Sequence, residues 1–301
     1  MDIRSLKYFL SLADNLHFGK ASAESHISLS TLSRQIRQLE EELGVELFVR
    51  DNRSVELTQE GQLFVQYARE AVGQWSSVRN QLSALGGELQ GEVRLYCSVT
   101  AVYSLLYELF NDLRKAYPQI EIKLHTGDPD HAIEHVLAGS EDLAIAAHPA
   151  SLPRGLAFKP ITYSPLVFIA PLDDLELQAL PPSEQQAGGK EAFAQNWSQV
   201  PMVMPETGLS RKRLDNWFRK QEISPSIYAQ VAGNEAIVTM VSLGLGVGVV
   251  PKIVLDNSPV AHRVTVLEVA PQLEPYHVGL FVQKKSLNNP LVQAFWSLLP
   301  E

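Results

Sequence analysis

The run Ser28-Leu29-Ser30-Thr31-Leu32-Ser33-Arg34-Gln35-Ile36-Arg37-Gln38-Leu39 begins with hydroxyls and then becomes periodic. Leu32, Ile36, Leu39 and Leu43 recur at three- and four-residue spacing, which predicts one apolar helix face. Ser28 or Ser30 can cap its start, and Gly44 is a usual stop signal. On the N-terminal side, His26 and Ile27 read as a turn and Gly19 to Ser25 as a short helix. Before these, Leu6, Phe9, Leu10 and Ala13 mark a first helix over residues 2–14. On the C-terminal side, Val45 to Val49 and Ser54 to Leu57 read as two short strands around the tip Arg50-Asp51-Asn52-Arg53. Residues 1–58 therefore predict a winged helix-turn-helix, mostly α.

Thr58 can cap the next helix. Its apolar positions are Leu63, Tyr67, Ala71, Trp75, Val78, Leu82 and Leu85, separated by 4, 4, 4, 3, 4 and 3. A stripe sustained over roughly 40 Å of helix joins two domains and needs a partner surface. A helix from a second subunit is the expected partner, so residues 59–90 are read as a dimerisation helix ending in the hinge Gly86-Gly87-Glu88-Leu89-Gln90-Gly91.

From Glu92 onward, strand-like and helix-like segments alternate, which predicts a parallel α/β sheet. Two such units fit the 91–301 domain. Lobe I is expected at about 91–162 with 265–301, including Thr265 to Glu268. Lobe II is expected at about 163–264, with the Gln-, Ala- and Pro-rich residues 172–196 as a loose excursion. A chain of 301 residues is too long for one core, which agrees with several domains.

Charge is not what draws this chain to a partner. The total is −9, and residues 1–58 hold seven basic and nine acidic residues. Nucleic-acid binding would need its cations gathered on one face. Lys20, Arg34, Arg37, Arg50 and Arg53 do fall in the second helix, the third helix and the wing, while Glu40, Glu41, Glu42 and Glu46 fall behind them. One cysteine, Cys97, excludes an internal disulfide and suits a reducing cytoplasm. The N-terminus lacks a secretion-signal pattern, and the longest near-apolar run, Met240 to Val250, is too short for a bilayer.

Four motifs together carry a family resemblance: Phe18-Gly19-Lys20-Ala21-Ser22, Ser30-Thr31-Leu32-Ser33-Arg34-Gln35-Ile36, Leu43-Gly44-Val45-Glu46-Leu47-Phe48 and Leu57-Thr58-Gln59-Glu60-Gly61. The chain resembles the LysR-type transcription regulators along its whole length. The resemblance implies DNA as partner, a homodimer and a tetramer built from dimers, contact with RNA polymerase, and no catalysis. It also implies that the 91–301 domain resembles periplasmic binding proteins and takes a small co-inducer between its lobes. Arg50-Asp51-Asn52-Arg53, Cys97-Ser98-Val99-Thr100-Ala101, Lys123-Leu124-His125-Thr126-Gly127-Asp128 and Asn257-Ser258-Pro259 resemble the branch of the family that regulates branched-chain amino acid synthesis. That implies activation of the ketol-acid reductoisomerase gene by acetolactate or acetohydroxybutyrate, with no other cofactor. The alternatives are a LysR-type regulator of another pathway with a different small anion and, more distantly, an α/β enzyme carrying a DNA-binding module.

The resemblance puts the third helix in the major groove. Ser28, Leu29, Ser30, Thr31, Ser33 and Arg34 are then the residues able to reach base edges, with Lys20, Arg37, Arg50 and Arg53 placed for phosphate or minor groove. In the sensor, Ser98 and Thr100 end a strand at a helix start, which suits a carboxylate. Thr126 and His148 end the next strands. From the opposite lobe, Met204, Pro205, Glu206 and Asn234 are the candidates to close over the ligand. Three other signals are set aside. His131-Ala132-Ile133-Glu134-His135 has metalloprotease spacing without a third ligand. Gly244-Leu245-Gly246-Val247-Gly248 runs from helix to strand, the reverse of a dinucleotide loop. Cys97 reads as a small core residue rather than a redox sensor.

Overall fold

The computed structural model describes residues 1–50, 54–85 and 89–299. The N-terminal unit holds α1 (Ile3–Asn15), α2 (Phe18–Glu24) and α3 (Leu29–Leu43), then β1 (Phe48–Arg50) paired antiparallel with β2 (Val55–Leu57), then α4 (Gln59–Leu85). Each of the first three helices starts on a side-chain cap: Asp2 accepts from the Ser5 N–H, His17 from Lys20 and Ser28 from Thr31. Gly44 ends α3 at φ 72°, a left-handed conformation that glycine adopts freely. Leu6, Phe9, Leu12, Leu32, Ile36, Leu39, Leu47 and Phe48 form the core, joined by Ala68 of α4. Leu43 completes the sequence periodicity but lies at the exposed end of its helix.

Lobe I begins with β3 (Gly91–Cys97), α5 (Val99–Ala116), β4 (Ile120–Thr126), α6 (Ala132–Ala138), β5 (Leu143–Ala147) and β6 (Leu156–Ser164). One residue later β7 (Leu166–Pro171) enters lobe II. It is followed by α7 (Leu175–Gln178), α8 (Glu184–Ala187), α9 (Lys190–Ser198), β8 (Pro201–Pro205), α10 (Gly208–Lys220), β9 (Ser226–Val231), α11 (Asn234–Ser242), β10 (Val247–Pro251), α12 (Lys252–Asp256) and β11 (Val264–Leu267). The chain then returns to lobe I with β12 (Tyr276–Gln283) and α13 (Pro290–Leu298). Each lobe has one five-stranded sheet, in the orders β4-β3-β5-β12-β6 and β11-β7-β10-β8-β9.

Three expectations need correction. The sheets are mixed, not parallel: β12 arrives from the other lobe and lies antiparallel to both β5 and β6. Thr265 to Leu267 stays in lobe II, where β11 edges β7, so the return crossing comes after Leu267. Residues 172–196 are not a loose excursion. They carry α7, α8 and most of α9, and Phe193 and Trp197 on α9 are buried against Phe168 and Trp217. Two aromatics four residues apart on one helix face outweigh a Gln- and Ala-rich composition. Strand β6, absent from the sequence-based expectation, supplies the first crossing. Ser164 at its end accepts through Oγ from the Ile253 N–H, and Pro165 accepts through its carbonyl from Lys252.

Candidate functional site

The candidate DNA-facing surface is built around the start of α3. Ser28 Oγ accepts from the Thr31 N–H at 3.2 Å and lies 3.0 and 2.8 Å from the Ser30 and Thr31 hydroxyls. Burial of Leu32, Ile36 and Leu39 turns the opposite face outward. Leu29 is 55% exposed, Ser30 and Arg34 are exposed, and Ser33 is half-buried. Lys20 and Arg37 are exposed, and neither they nor Arg34 form an ion pair among the described residues. Arg50 is already engaged: it pairs with Glu40 and lies over the Phe18 ring, 5.5 Å from its centroid. Glu40 also accepts from the Leu47 and Phe48 N–H groups, so it organises the wing rather than repelling DNA from behind. Arg53 lies outside the described residues.

Helix α4 has two faces with different partners. Its root is fixed by Thr58, whose hydroxyl donates to the Glu46 carbonyl and accepts from the Gly61 N–H. A Cβ on Gly61 would collide with the Leu47 carbonyl, so this position must be glycine. Farther along, buried Asn80 donates to Asn289, Gln81 to the Asn288 carbonyl, and Lys285 pairs with Glu70. These contacts seat one face of α4 on lobe I. The other face stays open: Leu63, Tyr67, Trp75, Val78, Leu82 and Leu85 are exposed, Leu85 to 85%. Ala71 is the exception to the expected stripe, because it packs on the chain's own N-terminal core.

Between the lobes lies a cleft of about 890 Å³, part of it open to solvent. Of the expected residues, the structure brings Ser98, Thr100, Pro205, Glu206 and Asn234 to its walls. It leaves three out. Met204 is fully buried in the core beneath β8, one residue short of the cleft, as strand alternation requires. Thr126 ends β4 exposed, away from the cavity. His148 turns to its own neighbours, with Nδ1 2.6 Å from the Pro149 carbonyl and its ring edge-on to Phe158.

Ser98 caps α5 by accepting from the Ala101 N–H at 3.2 Å, which leaves its own proton to donate. Thr100 donates its hydroxyl across the cleft to Glu235 on α11. The starts of α5, α10 and α11 therefore converge on one space, with Thr207 and Gly233 as the N-cap residues of the latter two.

The sequence reading missed Asp128, Asp130, Ser210 and Tyr276. Ser210 and Tyr276 are hydrogen-bonded to each other and buried, and that burial pushes the Tyr276 hydroxyl up to about 12. Asp130 is exposed, yet partial burial and the Asp128 charge hold it above the usual carboxylate range, against the Leu209 N–H and the His131 and Lys212 charges. The turn signal Gly127-Asp128-Pro129-Asp130 directly after a strand could have pointed to the aspartates. Nothing local could have found Tyr276, which enters from the return crossing.

Residues 3–62 match the family described as "Bacterial regulatory helix-turn-helix protein, lysR family", and residues 86–301 match "LysR substrate binding domain". The chain belongs to the LysR family. Among curated relatives of this LysR-type regulator, the HTH-type transcriptional activator IlvY of Salmonella typhimurium is 45% identical over 304 residues, covering all of both chains. Full-length OxyR from Pseudomonas aeruginosa superposes with TM-score 0.69 at 22% identity, covering 99% of this chain and 94% of that one. Full-length CbnR in complex with its target DNA gives 0.65 at 20% identity, covering 99% of each chain. At those identities the two structures speak for the fold alone: a helix-turn-helix unit, a linking helix and a two-lobed sensor. As a LysR-type protein the chain is a DNA-binding transcription regulator and not an enzyme.

One of the set-aside motifs has a plain place in the fold. The His131-to-His135 run lies on the crossover segment ending in α6. There His135 stacks on Tyr96 at 4.4 Å and meets Ser140 at 3.1 Å, and no metal-binding cluster occurs among the described residues. Among those residues no helix is long and apolar enough to cross a membrane.

Proposed function

We propose that this LysR-type regulator activates a gene of branched-chain amino acid synthesis, that for ketol-acid reductoisomerase, when acetolactate or acetohydroxybutyrate enters the inter-lobe cleft. The observation that carries this reading is the start of α5 at the cleft wall. Ser98 keeps a hydroxyl proton to donate, and the first N–H groups of a helix have no partner within it. The pair suits a single carboxylate. An acetohydroxy acid adds a hydroxyl and a ketone, matched by Asn234 and the hydroxyls of Thr207 and Ser210 on the opposite wall. Full-length similarity to activators named IlvY supports the same pathway.

The protein works in the cytoplasm as a dimer joined along the open face of α4, and two dimers form the tetramer that spans an operator. Two α3 helices held in register compensate for an N-terminal unit that is net acidic. The co-inducer, the only small molecule required, changes the angle between the lobes. Lobe I carries that change to α4 through the Asn80 and Gln81 contacts, and DNA bending and contact with RNA polymerase follow. The test is a footprint and a transcription assay on the candidate promoter with and without acetolactate. A changed footprint and raised transcription are expected. No change in either would refute the effector assignment.

A further inference from the structure

Every charged side chain lining the cleft among the described residues is acidic: Asp128, Asp130 and Glu206. That is an unusual wall for a ligand carrying a carboxylate, and Asp130 shows how it is organised. Helix α10 belongs to lobe II and has 13 residues, yet its N-cap residue, Thr207, makes no side-chain cap hydrogen bond. The start is covered from the other lobe. The Asp130 carboxylate lies directly over Gly208, where a Cβ would overlap it. Gly208 sits at φ 86°, so both the backbone conformation and the close approach demand glycine.

Of the three helix starts at the cleft, that of α11 carries Glu235 in its own first turn and that of α10 is covered by Asp130, which leaves the start of α5 to hold a carboxylate. Resting on the effector reading above, we infer that Asp130 is the specificity-determining residue of the cleft: it occupies the anion seat of α10, so that the cleft accepts a hydroxylated monocarboxylate and rejects dicarboxylates and phosphoesters. A ligand with a second negative group would have to place it against Asp130 and its neighbour Asp128. Two like charges a few ångströms apart in a partly enclosed space repel strongly enough to weaken binding by about tenfold or more. A ligand hydroxyl meets no such penalty and can donate to either aspartate.

The experiment titrates acetolactate and malate into the full-length wild type, Asp130→Asn and Asp130→Ala by calorimetry. Circular dichroism and thermal unfolding establish that each variant is folded. Asp130→Asn keeps an acceptor over Gly208 without the charge; Asp130→Ala empties the seat. The wild type is expected to bind acetolactate at least about tenfold more tightly than malate. Both variants are expected to narrow that ratio by gaining malate affinity, Asp130→Ala the more. An unchanged ratio in the variants, or a wild type that binds both acids equally, overturns the role of Asp130. If Asp130→Ala does not fold, Asp130→Asn decides. If acetolactate binds none of the proteins, the effector reading falls, and Asp130 is judged on whether malate affinity appears only when its charge is removed.

Discussion

Two helix starts stand at the candidate sites of this regulator, and they are finished in opposite ways. Helix α3 is capped by the residue next to it, Ser28, and its hydroxyl cluster is local. Helix α10 lacks a side-chain cap of its own, and its first residue, Gly208, is covered by Asp130, 78 positions earlier, from the opposite lobe. The first arrangement completes the start of α3 from residues within its own first turn. The second makes a helix start depend on a residue of the opposite lobe across a cleft.

The sharpest way to break this contrast is to remove the element that joins the ends. Trp75→Glu with Leu82→Glu places two charges on the open face of α4. The dimer is expected to dissociate at micromolar concentration and operator affinity to fall about 100-fold or more, since a buried unpaired charge costs several kcal/mol. Sedimentation and gel shift measure both. A dimer that survives would mean that the face is not the interface.

Arg34→Ala tests the reading head itself. Loss of a base or phosphate contact is expected to cost about 1–3 kcal/mol, or roughly 10- to 100-fold in specific operator affinity, with dimer and ligand binding retained. Wild-type affinity in a gel shift would remove Arg34 from the interface.

Gly61→Ala strains the root of α4 against the Leu47 carbonyl. Overpacking of this kind costs about 1–3 kcal/mol. Calorimetry should show the N-terminal unit melting several degrees lower while the sensor transition stays in place. A joint shift would mean that the two ends unfold as one unit.

The smallest effect is expected at Cys97. It is fully buried, and that burial pushes its thiol to about 11, so roughly a thousandth of it is thiolate at pH 8. Ionisation of a thiol raised in this way opposes folding, and its cost appears only as the pH passes the unfolded value near 9. Native protein should react with a thiol reagent no faster than it unfolds, and peroxide should leave the footprint unchanged. Rapid native labelling would contradict the buried placement.

The contrast also explains how much could be read in advance. The helix-turn-helix, the wing and the length of α4 were legible because caps, glycine stops and apolar spacing act within a few residues. The order of strands and helices was legible for the same reason. The cleft was legible only where a strand ended at a helix start, as at Ser98 and Pro205. Thr126, His148 and Met204 obeyed the same local rule and yet face elsewhere, because register and crossing strands decide which strand ends meet. Ala71 keeps the α4 periodicity but is claimed by the N-terminal core. Phe193 and Trp197 organise a segment whose composition suggested none.

By itself, the sequence determined the family, the helix-turn-helix and the apolar stripe of α4, which follow from motifs and spacing within single elements, and the order of strands and helices in the two-lobed domain. Only the tertiary structure decided that the sheets are mixed, that Glu40 belongs to the wing, and that Asp130, Ser210 and Tyr276 share one cavity. The physical reason is chain crossing. β6 to β7 and β11 to β12 pass between the lobes, and contacts made across such crossings join residues far apart in sequence. No local pattern records which residues those crossings bring face to face.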